Sequence, residues 1–77
     1  MPRYFFHVMD GRANIDAEGT VLDGVADVRR EAVRLAGSIL VHEATGLVAG
    51  RPWQMTVVDA AGDTVFALRF EAEQYGY

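Results

Sequence analysis

The chain has 77 residues and a net charge of −4, with seven Arg, no Lys and no Cys. A chain of this length holds one core and no second domain, and domains this small bury only about 60% of the surface that their unfolded chain exposes. The lack of Cys excludes a disulfide framework and a thiolate metal site, and it fits a reducing compartment. An acidic chain is repelled by nucleic acid at long range, so nucleic-acid binding would require a clustered basic face.

Tyr4–Met9 is a run of aromatics and Val that predicts a strand. Tyr4, Phe6 and Val8 point to one face and Phe5, His7 and Met9 to the other, and both faces are largely apolar, as in a central strand. Asp10-Gly11 signals a turn. A short second strand is expected over Arg12–Asp16, and Glu18-Gly19 breaks the chain again.

From Gly24 to Thr45 the apolar period changes to that of a helix, with Asp23 as its expected N-cap and Gly46 as its C-cap. Val25, Val28, Ala32, Leu35, Ala36 and Ile39 fall on one stripe. Asp27, Arg30, Glu31, Arg34 and Ser38 fall on the opposite side. A helix of that length outruns a seven-residue strand. Its last turns should overhang the sheet, where Val41, Leu47 and Val48 would stand exposed.

Trp53, Met55 and Val57 alternate with Gln54 and Thr56, then Asp59-Ala60-Ala61-Gly62-Asp63 interrupts the run. Phe66, Leu68 and Phe70 alternate with Ala67 and Arg69 beyond it. This is the signature of an antiparallel hairpin with one buried face. A type I turn closed by a left-handed Gly62 would pair Val57 with Val65. A four-residue loop would pair Val57 with Phe66, Met55 with Leu68 and Trp53 with Phe70. We favour the second register, because it gathers every large apolar group on one face.

The elements predict a single α+β domain over residues 1–77. It is a ββαββ fold, with a small antiparallel sheet in the order 2-1-3-4 covered on one face by one long helix. The tail at 71–77 should be loosely held.

No motif carries an obvious chemistry. His7 and His42 lie on different elements and, as ligands or bases, would need carboxylates such as Asp10 or Glu43. A small hydrolase built on either is the least favoured reading. Their ordinary reading is a strand residue and a polar group near a helix end. Asp10, Asp16, Glu18 and Asp23 lack the spacing of a calcium loop and read as turn formers and a cap. Glu43 would be a buried acid only if the helix ran straight over the sheet. Ser38 lies mid-helix with no partner to activate it. The expectation is therefore no enzyme, no metal and no cofactor.

Arg29, Arg30 and Arg34 form a basic cluster that could contact successive phosphates, but Asp27 and Glu31 can pair with Arg30 and Arg34 at i,i+3. A nucleic-acid-associated regulator using these arginines is the alternative reading.

The leading reading is an interaction module, because one helix cannot cover both sides of the sheet. Phe5, His7, Met9, Val58 and Val65 are assigned to the uncovered side, with Val41, Leu47 and Val48 along the helix end. A homodimer or another protein is the expected partner. No stretch approaches the ~20 apolar residues of a membrane span, and no signal-peptide layout opens the chain. The expected location is the cytoplasm.

The opening Met1-Pro2-Arg3-Tyr4-Phe5-Phe6-His7 resembles that of a family of short bacterial proteins of unknown function that begin M-P-x-Y-F-F-H. Glu18-Gly19-Thr20 matches its E-G-T segment. Asp23–Ala32 is similar to its D-x-x-x-A-R-x-E-A helix, with Val28-Arg29 in place of Ala-Arg. Val57–Gly62 matches its closing V-x-D-x-x-G hairpin. The resemblance implies relatives and no activity, and it transfers no functional residue. The strand–turn–strand–helix opening is also loosely similar to antitoxins of the HicB type, whose P-D-L-x-G segment and DNA-binding helix pair are missing here.

Overall fold

The computed structural model describes residues 2–42 and 52–76. Its elements are β1 (Arg3–Met9), β2 (Ala13–Asn14), β3 (Thr20–Val21), α1 (Val25–His42), β4 (Trp53–Asp59) and β5 (Thr64–Phe70). All pairings are antiparallel and the sheet runs β2-β1-β4-β5, with β3 also paired to β1.

The α+β class and the central position of the first strand are as the sequence predicts. The difference lies on the outer edge of β1, which two short strands share. β2 pairs with Val8 and Met9 at one end, and β3 pairs with Arg3 and Tyr4 at the other. The second strand is thus shorter than the expected Arg12–Asp16, and the chain beyond Gly19 returns to pair where a simple break was expected. Leu22 N–H, donating to Pro2 O at 3.0 Å, extends this contact.

The apolar stripes of sheet and helix meet in one core. Tyr4, Phe6, Trp53, Met55 and Val57 from β1 and β4 are buried against Val28, Ala32 and Ala36 of α1. Small alanines on the helix let its axis approach the sheet, where it packs over β4 and β5. Leu35, Ile39, Phe66, Leu68 and Phe70 close the core's margin. Val25 departs from its expected place on the stripe and is 53% exposed. The helix start explains this: Asp27 and Val28 donate to Gly24 O at 3.1 and 3.0 Å. Gly24 therefore occupies the cap position, and no first-turn amide bonds to the Asp23 carboxylate. Glu43, Thr45, Gly46, Leu47 and Val48 lie outside the described residues, and with them the expected helix end.

The hairpin combines features of both readings. Asp59 O accepts from Gly62 N–H at 3.0 Å, Asp59 N–H donates to Asp63 O at 2.9 Å, and Gly62 has φ 89°. The turn is thus the one closed by a left-handed glycine. Yet Trp53, Met55 and Val57 pair with Phe70, Leu68 and Phe66, as in the favoured register. A bulge reconciles them, since Val58 pairs with Thr64 and leaves Val65 as the extra residue. Val65 then packs against the core, which corrects its expected place on the opposite side beside Phe5.

Candidate functional site

The side of the sheet away from α1 is built by the alternate residues of three strands. Phe5 pairs with Val58, His7 with Thr56 and Met9 with Gln54. Thr56 and Gln54 continue to Ala67 and Arg69 on β5. The Phe5 and His7 rings are stacked, with centroids 6.5 Å apart and planes 17° from parallel. Phe5, His7 and Val58 are half-buried, whereas Met9 at the strand end is 53% exposed. Four of the residues expected on this face, Phe5, His7, Met9 and Val58, are therefore brought together. Val41 is 77% exposed on the helix, on a different surface.

One end of this face is held by Asp16, which the sequence reading treats as a solvated turn former. Its Oδ2 accepts from Phe6 N–H at 3.1 Å, and its Oδ1 accepts from Glu18 N–H at 3.2 Å and Gly19 N–H at 3.0 Å. Its own N–H donates to His7 Nδ1 at 3.1 Å, so the neutral imidazole carries its proton on Nε2. Burial pushes the Asp16 carboxyl up, but the hydrogen bonds from the amides of Gly19, Phe6 and Glu18 outweigh it. The net effect is a pKa below the ordinary 3.8. Such a carboxylate is committed to the backbone and is not poised to take a proton.

Gly19 completes the arrangement. At φ +74° it turns the chain back to β1, and a Cβ there would lie 2.9 Å from Arg3 Cγ, Phe5 Cε2 and Tyr4 O. The loop therefore rests directly on the Phe5 ring. In the sequence, Asp16 and Gly19 carry only the mark of a polar turn, because their partners on β1 lie nine residues and more away.

The basic cluster is largely neutralised. Arg30 pairs with Asp27 at 2.9 Å, and Arg34 grips Glu31 with Nε at 3.0 Å and Nη2 at 2.7 Å. The hydrogen bond from Arg34 holds the Glu31 carboxyl below its usual range, against the opposing effect of burial. Arg29 and Arg30 line a shallow depression with Ala26 and Val33 on the outer side of the helix. His42 Nδ1 lies 2.8 Å from Ser38 O in the last described turn. Among the described residues, no group of three or more His, Asp or Glu could hold a metal ion. No helix among them is long and apolar enough to cross a membrane.

Residues 3–71 match the family described as a domain of unknown function, DUF6894. The chain belongs to that family. The match spans every strand and the helix, so β1, the Asp16 loop, α1 and the hairpin together form the DUF6894 domain. No curated protein and no solved structure matches the chain.

Proposed function

We propose that this DUF6894 chain is a non-catalytic interaction module whose sheet face away from the helix receives a protein, either a second copy or another chain. The observation that carries this reading is the stacked Phe5–His7 pair beside Val58, with exposed Met9 at its end. Among the described residues, no helix or strand lies across these groups. Nor does Tyr75 of the tail cover them, as it is 83% exposed and hydrogen-bonds to Glu73. A large apolar side chain gains roughly 1.5–3 kcal/mol on full burial, which a docked partner would supply. Carboxylates one turn away occupy Arg30 and Arg34, which disfavours a phosphate-binding role for the helix.

The experiment compares Met9→Glu and Phe5→Glu with the unaltered protein in sedimentation and in capture of co-purifying protein. Met9 is exposed, so its variant should keep the fold and melting temperature while losing association. Phe5→Glu should weaken association and also lower melting, because Phe5 touches the Gly19 loop. Association unchanged in both variants would overturn this face as an interface.

A further inference from the structure

We propose that β5 pairs edge to edge with β5 of a second copy, antiparallel about a two-fold axis at Leu68, to form one continuous sheet. This deepens the reading of the chain as an interaction module by naming a partner and a second contact surface.

The two edges of the sheet differ. The outer edge of β1 is occupied along its length: β3 pairs with Arg3 and Tyr4, Asp16 takes the Phe6 amide, and β2 pairs with Val8 and Met9. β5 closes the order at the other side, and among the described residues it pairs with β4 alone. An edge strand displays unpaired N–H and C=O groups, and monomeric proteins blunt it with Pro, charged side chains or bulges. Phe66–Phe70 contains no Pro and no Lys and lies beyond the Val65 bulge. Its one charge, Arg69, directs Nη2 toward Gln54 Oε1 of β4 at 3.5 Å, back over its own sheet.

The sequence of the regular part of β5 selects the partner. The Val65 bulge and the Asp59–Asp63 turn limit straight pairing to Phe66–Phe70, and Phe-Ala-Leu-Arg-Phe is nearly symmetric about Leu68. Antiparallel self-pairing at that centre sets Phe66 opposite the partner copy's Phe70, Leu68 opposite Leu68, and small Ala67 opposite long Arg69. Phe66, Leu68 and Phe70 already border the core as half-buried groups. Pairing would join the two cores through aromatic contacts, a favourable kind of cross-strand neighbour. The two-fold axis stands perpendicular to the sheet, so both helices lie on one side and both Phe5–His7 faces on the other.

The chain has no Cys, so introduced thiols react without background. Directly opposite residues in an antiparallel pair have Cα atoms about 4.5–5.5 Å apart, within disulfide range. Ala67→Cys and Arg69→Cys proteins, mixed and mildly oxidised, should give the mixed disulfide in clear excess over a statistical mixture. Ala67 is exposed, and charges placed there should act in opposite directions. Ala67→Glu, set opposite Arg69, should tighten the dimer roughly threefold or more in sedimentation, and Ala67→Arg should weaken it by a similar factor. A statistical disulfide mixture, or a dimer constant indifferent to the sign of the charge at position 67, would overturn the edge pairing. A dimer that ignores position 67 but is lost in Met9→Glu would overturn the edge and leave the sheet-face reading standing.

Discussion

Asp16 Oδ2 accepts the backbone N–H of Phe6 at 3.1 Å, so a side chain completes the sheet edge where a strand would ordinarily stand. β2 and β3 each contribute two residues, too few to pair with all of β1. The carboxylate bridges the gap between them, and its second oxygen holds the loop that joins them.

Replacing Asp16 with Ala should be among the more damaging changes outside the core. It leaves the amides of Phe6, Glu18 and Gly19 without their acceptor, and a lost partner for a partly buried amide costs about 1–3 kcal/mol. In a domain of this size each kcal/mol lowers the melting temperature by roughly 4–8 °C. A thermal melt of Asp16→Ala within a degree of the unaltered protein would contradict this account.

The same carboxylate predicts an acid limit. Its pKa lies below the ordinary 3.8 in the folded chain, and that of Glu31 lies below 4.5. A depressed folded-state pKa contributes stability that is present above the unfolded value and lost as pH falls through the folded one. Urea midpoints should therefore hold from neutrality to about pH 5 and decline below about pH 4. Asp16→Ala should flatten that decline, and an equally steep acid limb in the variant would refute the assignment.

Gly19→Ala tests the loop's contact with β1. The substitution imposes strain at φ +74° and brings a methyl group to 2.9 Å from Tyr4 O, which cannot move without disturbing β1. A loss of roughly 1–3 kcal/mol is expected, together with faster amide exchange in β3. Ala tolerated without change in exchange or melting would show that the loop does not sit as described.

Core and surface positions should separate cleanly by denaturation. Met55 is 1% exposed, and Met55→Ala should remove about 2–5 kcal/mol, a large share of the stability of so small a domain. Val33, 55% exposed on the outer side of the helix, should change stability by no more than about 0.5 kcal/mol when replaced by Ala. A comparable loss at Val33 would mean that something packs there.

The hairpin was legible because Trp53, Met55, Val57, Phe66, Leu68 and Phe70 keep a strict period of two. The helix was legible because Val28, Ala32, Leu35 and Ile39 recur at spacings of four, three and four, near the helical period of 3.6. The bulge was half visible. The turn residues asked for a left-handed Gly62 and the apolar pattern asked for Val57 opposite Phe66, and only an extra residue at Val65 satisfies both. β3 was hidden because two residues are too few to show any period. Asp16 was hidden for a different reason: a carboxylate that caps a distant amide leaves no spacing rule in the chain. Of the groups expected to stand exposed at the helix end, Val41 does so, at 77%.

The way β1 is edged also bears on how the chain is made. β1 ends at Met9, yet its partner β4 begins only at Trp53. At about 5–20 residues per second, several seconds of synthesis separate the two. For most of that interval, the groups that close one side of β1 (Ala13, Asn14, Asp16, Thr20 and Val21) are already at hand, being its near successors. The nascent strand can thus have one flank occupied by its own next residues before the hairpin arrives to take the other.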